Sequence, residues 1–290
     1  MLYQSAEHWL KSPQKRLMLF GMSGLGKTHI SNLLRDAGGW FHYSVDYRIG
    51  TRYMGEHIVD NFKHQAMQVP LLRDLLMTDS IYIASNITFG NLSPLSTYLG
   101  KPGDPSRGGL PFETYRIRQD QHRVAEVAAL MDTPHFITRA QALYGYAHFV
   151  CDSGGSICEV VNPEDRDDPV MRTLSEHLLP VWIKGSADHT AELIRRFDRA
   201  PKPMYYQPEF LVPVWQAYLR DTGLTEGEVD PDAFVRHAYA QALAHRQPRY
   251  EMMAQNWGIT VHADDIARVT SAGDVIDLIA QTLEAGQKPV

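Results

Sequence analysis

Five short apolar runs punctuate the chain, and apolar positions recur at helical spacing between several of them. The runs are Leu17–Phe20, Phe41–Val45, Ala147–Cys151, Val181–Ile183 and Ile259–Val261. Runs this short, bounded by polar or turn-forming residues, read as buried strands. His29–Arg35 and His189–Phe197 read as helices after the first and fourth runs. The segment "AGDVIDLIAQTLEA" puts Val275, Leu278, Ile279 and Leu283 on one helical face, with Asp274 near its start as a cap. Strands alternating with helices predict an α/β protein with a mostly parallel sheet.

The alternation fails between Tyr53 and Tyr146. That stretch carries "LLRDLLM", "SIYIASNITFG", a Gly- and Pro-rich surface loop over Lys101–Pro111, and the helical pattern "DQHRVAEVAALM". A second departure, Met204–Asp232, contains several prolines and the helical "FLVPVWQAYLR". The expected organisation is a core of residues 1–52 and 147–290. Residues 53–146 form a largely helical insertion.

The first apolar run leads straight into "GMSGLGKT", Gly21–Thr28. Three glycines let the chain turn tightly, so successive amides can point into one anion-binding hollow. Lys27 adds a charge that reaches β- and γ-phosphates, Thr28 offers a hydroxyl to Mg²⁺, and the following helix presents its N-terminus to the same anion. The nucleotide-binding set expected from this pattern is Gly21, Ser23, Gly24, Leu25, Gly26, Lys27, Thr28 and His29. The alternative is a plain glycine-rich turn.

Further candidates follow the other runs. Asp46, after the second, could orient and deprotonate an acceptor hydroxyl, or simply form a turn. Asp152 ends "AHFVCD", an apolar run closed by an acid, and could hold Mg²⁺ beside Thr28. Gly154 and Gly155 permit close approach of a ligand or a tight turn. Arg195, Arg196, Arg199 and Lys202 cluster in "LIRRFDRAPKP", as lid cations or as a solvated helix end. Spacing alone reads Arg246 and Arg249 as a surface helix end. His148 reads as a structural residue. Tyr43, Tyr47, Tyr205 and Tyr206 could stack on a ring, with core packing as the other reading.

Composition narrows the field. The 290 residues are 44% hydrophobic and 21% charged, ordinary for a globular protein. The net charge of −6 and the absence of a Lys/Arg run argue against a nucleic-acid partner. Cys151 and Cys158 are the only cysteines and lack the C-x-x-C spacing, which points away from zinc and disulfides and toward a reducing compartment. Neither a signal-peptide apolar region nor an apolar run long enough to span a membrane is present, so a cytoplasmic enzyme is expected. Nothing in the pattern fixes an oligomeric state.

Taken in order, these pieces resemble the shikimate-kinase-like P-loop kinases, a family that also takes in gluconate kinases. The resemblance rests on "GMSGLGKT", the acid in "SVDY", the glycine pair in "DSGGS", "VWIKGSADHTAELIRRF" leading into "PKPMYY", and "HRQPRYEMMAQNWGITVHADD". It implies a three-layer P-loop NTPase sandwich with a five-stranded sheet, binding ATP with Mg²⁺ and phosphorylating a small-molecule acceptor. Lys27 would bind phosphates, and Thr28, with Asp152, would hold the metal. Asp46 would meet the acceptor hydroxyl and act as base. Gly154, Gly155 and Arg246 would line the acceptor site, Arg246 facing a carboxylate, and Arg195 and Lys202 would serve the nucleotide side and the lid. The chain departs from the family at Ser44, where an acid is usual, at Lys202, where Arg is usual, and in its long insertion; the resemblance implies that residues 53–146 are an inserted acceptor-binding or cap region, which suggests a larger acceptor. An ATPase or nucleotide-dependent switch, with the insertion as a partner surface, is the first rival. A nucleic-acid-modifying P-loop kinase is the second.

Overall fold

A computed structural model of the chain describes residues 2–286. Five strands form one sheet: β1 (Arg16–Phe20), β2 (Trp40–Ser44), β3 (His148–Asp152), β4 (Leu179–Lys184) and β5 (Ile259–His262). Their order is β2-β3-β1-β4-β5 and every pairing is parallel. Each expected strand is present, with ends shifted by a residue or two. β4 is buried along all but its last residue, whereas in the edge strand β5 only Val261 is buried.

The period of two along β2 separates the two faces of the sheet. Phe41 and Tyr43 turn toward Phe136 on helix Thr133–Tyr144, with ring centroids 6.4 and 4.9 Å away. His42 points the other way, where burial and Arg35 of helix Lys27–Asp36 lower its pKa to about 4. Helix Pro169–His177 packs on β4 and on the Thr133–Tyr144 helix, and helix Ala272–Gly286 packs on β5 and on the Lys27–Asp36 helix. The result is helix, sheet, helix. Asp274 caps the last helix as expected, its carboxylate accepting from the amides of Thr270 and Ser271 at 2.9 Å each.

The chain divides into two compact units. The first comprises Met1–Val45, Val127–Ala200 and His237–Val290, and holds the whole sheet; the second comprises Asp46–Glu126 and Pro201–Arg236. The expected insertion, 53–146, overlaps the second unit only as far as Glu126. Helix Thr133–Tyr144 stays with the sheet, and the Pro201–Arg236 stretch joins the insertion.

Within the second unit the two chain pieces are locked together by side chains. Phe112 stacks on Trp215 at 4.6 Å, and Trp215 meets Phe234 edge-on at 4.7 Å. Lys101 pairs with Asp232 at 2.5 Å and Arg107 with Asp230 at 2.9 Å. The Lys101–Pro111 stretch is therefore more than a loose loop: the Asp104 amide also donates to Val229 O at 2.8 Å. Tyr205 and Tyr206 are buried here, and Tyr43 is buried under the sheet, so the core reading holds for these three rings. Tyr47 packs edge-on against Phe89 at 4.8 Å.

Candidate phosphate-binding site

β1 ends at Phe20, and the chain turns through Gly21–Gly26 into helix Lys27–Asp36. Gly21, Gly24 and Gly26 all take positive φ, at 130°, 87° and 102°. At two of them the space is closed as well. A Cβ on Gly21 would lie 2.7 Å from Ile183 O of β4, and one on Gly26 would lie 2.7 Å from Ile266 Cγ2. The loop is thus pressed against the neighbouring strand and against the segment after β5, and only glycine fits. Gly26 is the helix N-cap, and it offers no side-chain acceptor to the first-turn amides.

Lys27 is 7% exposed, and its ammonium turns back along the loop. Nζ donates to Gly21 O at 2.8 Å and to Met22 O at 3.1 Å. Thr28 Oγ1 donates to Asp152 Oδ2 at 3.0 Å. Asp152 is the last residue of β3, in register with Leu19 of β1 and Ser44 of β2, so the sheet itself sets this contact. Burial raises the pKa of Asp152, while Lys27 and the Thr28 hydroxyl act to lower it. Among the described residues no group of three or more His, Cys, Asp or Glu side chains is arranged as a metal cage. The hydroxyl–carboxylate pair fits a hard ion such as Mg²⁺, which takes one or two protein oxygens and completes its shell with phosphate and water.

The remaining expected residues fall in different places. Ser23 is exposed on the loop, and Leu25 is buried beside Gly185, where an added Cβ would sit 3.1 Å from Leu25 Cδ1. His29 faces Val269 O at 3.3 Å. Arg195 lies on helix Ala187–Arg199, pairing with Glu192 at 2.9 Å; the same carboxylate holds Arg196 at 2.8 Å and Arg199 at 3.8 Å. Leu193 of that helix would touch a Cβ on Gly24 at 3.1 Å, so the helix lies against the loop. Asp46 directly follows Val45 on a short helix after β2 and, with exposed Lys202, belongs to the second unit. His148 is structural as expected, its Nδ1 accepting from the Lys15 amide at 3.0 Å.

Arg246 and Arg249 correct one expectation: they are not a surface helix end. They sit in the interior of helix Pro231–Trp257, and Arg246 is 2% exposed. Arg246 Nε pairs with Glu159, itself buried, and Nη1 donates to Gly155 O at 3.2 Å. Arg249 donates to Cys158 O at 2.7 Å and Val161 O at 3.0 Å. Spacing alone does not reveal that the helix runs on through Pro248 to Trp257. The acid that takes the charge inward is far away in sequence.

Three residues near the loop escaped the sequence reading. Glu159 in "ICEV" had a signal, an acid set among apolar residues on a short stretch, which requires a buried partner. Tyr250 donates its hydroxyl to Gly155 O. Lys184 closes β4, its Nζ 5.1 Å from the Trp182 ring centroid and 3.4 Å from Glu251 Oε1. A cation at the carboxyl end of a central parallel strand marks the ligand side of such a sheet.

A parallel sheet of order β2-β3-β1-β4-β5, with G-x-x-x-x-G-K-T between β1 and its helix and an acid ending β3, defines a P-loop nucleotide-binding fold. No family model matches the chain, and no match is found among curated proteins. Among solved structures it is similar to a shikimate kinase from Bacteroides thetaiotaomicron, at 15% identity and a TM-score of 0.42, over 93% of this chain and 98% of that one. It is also similar to a shikimate kinase from Acinetobacter baumannii in complex with shikimate, at 14% identity and a TM-score of 0.35, over 98% and 99% of the two chains. Both belong to the family that the sequence motifs resemble; the fold itself is read from the sheet order and the loop.

Proposed function

We propose that the protein is an ATP-dependent phosphotransferase that moves the γ-phosphate to a hydroxyl of a small-molecule acceptor. The observation that carries this reading is the Thr28–Asp152 contact at 3.0 Å, beside Lys27, at the carboxyl ends of adjacent parallel strands. In this reading the loop amides and the first turn of helix Lys27–Asp36 bind the phosphates. The Lys27 ammonium leaves the carbonyls of Gly21 and Met22 for phosphate oxygens, exchanging neutral acceptors for charged ones. Thr28 Oγ1 and the Asp152 carboxylate would hold the metal. Mg²⁺, when bound, supplies neutralisation of charge on the β- and γ-phosphates.

Asp46 is proposed as the residue that orients the acceptor hydroxyl and receives its proton. Arg195 and Lys202 are proposed as nucleotide-side and lid cations, and Gly154 and Gly155 as part of the acceptor's surroundings. Arg246 differs. Its charge is met by Glu159 inside the fold, which supports an acceptor whose recognition does not depend on a carboxylate. The second unit is proposed as the part that selects that acceptor.

The test is ADP release with MgATP, alone and with a panel of hydroxy acids, polyols, sugars and nucleosides. Stimulation by an acceptor, lost in Asp46→Asn while ATP affinity stays within a few-fold, is the expected result. ADP release that no acceptor changes, and that Asp46→Asn leaves intact, would instead make this an ATPase or nucleotide-dependent switch.

A further inference from the structure

The turn after β3 is held from two sides. On one side, a Cβ at Gly155 would lie 2.8 Å from Ser23 Oγ and 3.4 Å from Ser23 N, so the Gly155 backbone rests directly on the phosphate loop. On the other, the Gly155 carbonyl accepts from Arg246 Nη1 at 3.2 Å and from the Tyr250 hydroxyl. Two donors use both lone pairs of that oxygen. The donors are fixed in turn. Arg246 is anchored by Glu159, and Arg249, on the same helix, ties down the carbonyls of Cys158 and Val161 on either side of the Glu159 segment.

An ion pair buried this deeply adds little stability compared with apolar side chains of the same volume, because both charges are stripped of water. What it supplies is direction. A guanidinium held by a carboxylate presents its remaining N–H groups at fixed angles. A phosphate loop needs just that support, since its amides bind an anion only while they converge on one point.

We propose that Glu159, Arg246 and Tyr250 are positioning residues for the phosphate loop. They clamp the Gly155 carbonyl, and the Gly155 backbone in turn fixes Ser23 and the amides beside it in the geometry that binds a triphosphate. The proposal rests on the reading of the loop as a nucleotide site. The line of contact runs from helix Pro231–Trp257 through Gly155 to Ser23, with no side chain of the clamp touching the nucleotide.

The experiment is titration of the full-length protein with a fluorescent ATP analogue and Mg²⁺, with the unfolding temperature of each unliganded variant measured alongside. Tyr250→Phe removes one of the two donors and keeps the ring, and is expected to weaken binding by about threefold to tenfold. Gly155→Ala pushes on the loop from the turn side and is expected to weaken it by about tenfold or more. Adding Ser23→Gly to Gly155→Ala is expected to restore affinity to that of Ser23→Gly alone, because the colliding Oγ is gone. A merely structural role would lower unfolding temperatures and leave affinity unmoved. Wild-type affinity in both single variants overturns the proposal while leaving the nucleotide site in place, and if Gly155→Ala does not fold, Tyr250→Phe decides alone. Wild-type protein that binds no MgATP overturns the nucleotide reading, and this proposal with it.

Discussion

The phosphate loop and the Glu159–Arg246 cluster both adjoin the turn after β3, both are rich in polar groups, and they treat charge in opposite ways. In the loop, Lys27 rests on two main-chain carbonyls and Thr28 on one carboxylate, partners that a phosphate or a metal can replace. In the cluster, a base meets an acid in the interior, and the carbonyls around them are already taken. A charge leaning on neutral or exchangeable partners is ready for a ligand. A charge matched to an opposite one, out of reach of water, belongs to the framework.

Substitutions can break this contrast. The largest effect is expected at Lys27. Lys27→Met keeps the bulk of the side chain and should abolish ATP turnover and binding of the fluorescent analogue, with an unfolding temperature close to that of the wild type. A variant that turned ATP over at a near-normal rate would remove the loop from the active site.

Arg246→Met should do the reverse. Leaving Glu159 buried without its partner is expected to cost about 3–5 kcal/mol of stability in denaturant unfolding. Pairing it with Glu159→Leu should recover most of that loss, because neither charge is then buried. If the double variant is as unstable as the single, the ion pair matters for packing rather than for charge.

Asp152→Asn tests both sides of the contrast at once. Turnover should fall by roughly two orders of magnitude, the scale of one positioned electrostatic group, and its Mg²⁺ dependence should flatten. Stability should move the other way. A carboxyl whose folded pKa is raised is most stabilising to the fold below its unfolded pKa, and that contribution is lost as pH rises through the folded value. At neutral pH the wild type therefore bears the cost of a half-buried carboxylate partly stripped of water, and Asp152→Asn should unfold at an equal or higher temperature. Below the ordinary Asp range, where the wild-type carboxyl is protonated, the two proteins should converge. A variant less stable than the wild type at neutral pH would contradict the assignment of burial as the dominant influence.

The smallest effect belongs to Arg195. Its pair with Glu192 is exposed, and such pairs contribute about 0–1 kcal/mol. Arg195→Ala should leave thermal unfolding nearly unchanged and alter nucleotide affinity by a few-fold at most. A loss as large as that of Asp152→Asn would raise Arg195 from a peripheral cation on the nucleotide side to a main determinant of the reaction.

What could be read from the sequence was what neighbouring residues decide together. The strand runs, the glycine loop and the capped last helix are local patterns, and each appears within a residue or two of its expected place. The second unit was only half visible because its two pieces find each other at long range. Phe112 meets Trp215 and Lys101 meets Asp232, and no periodicity in either piece announces the other. Helix Thr133–Tyr144 lies within the expected insertion by position, yet Phe136 packs it on Phe41 and Tyr43 of β2. The burial of Arg246 is illegible for the same reason: the residue that decides its environment, Glu159, lies on another segment altogether.

An indole ties the first described helix to the last. The Trp9 ring is wholly buried, and its Nε1 donates to Ile276 O at 2.9 Å, helix Ala6–Lys11 packing on helix Ala272–Gly286. During synthesis the Trp9 indole must wait for helix Ala272–Gly286 before its N–H meets its acceptor. β1 in turn waits for β3 and β4, and the edge strand β5 comes only at residue 259. Pairings this distant in sequence are slow to form, and they leave apolar surface open meanwhile. The nascent protein thus has a long vulnerable interval, in which a holding chaperone would find Trp9 and the unpaired β1 waiting.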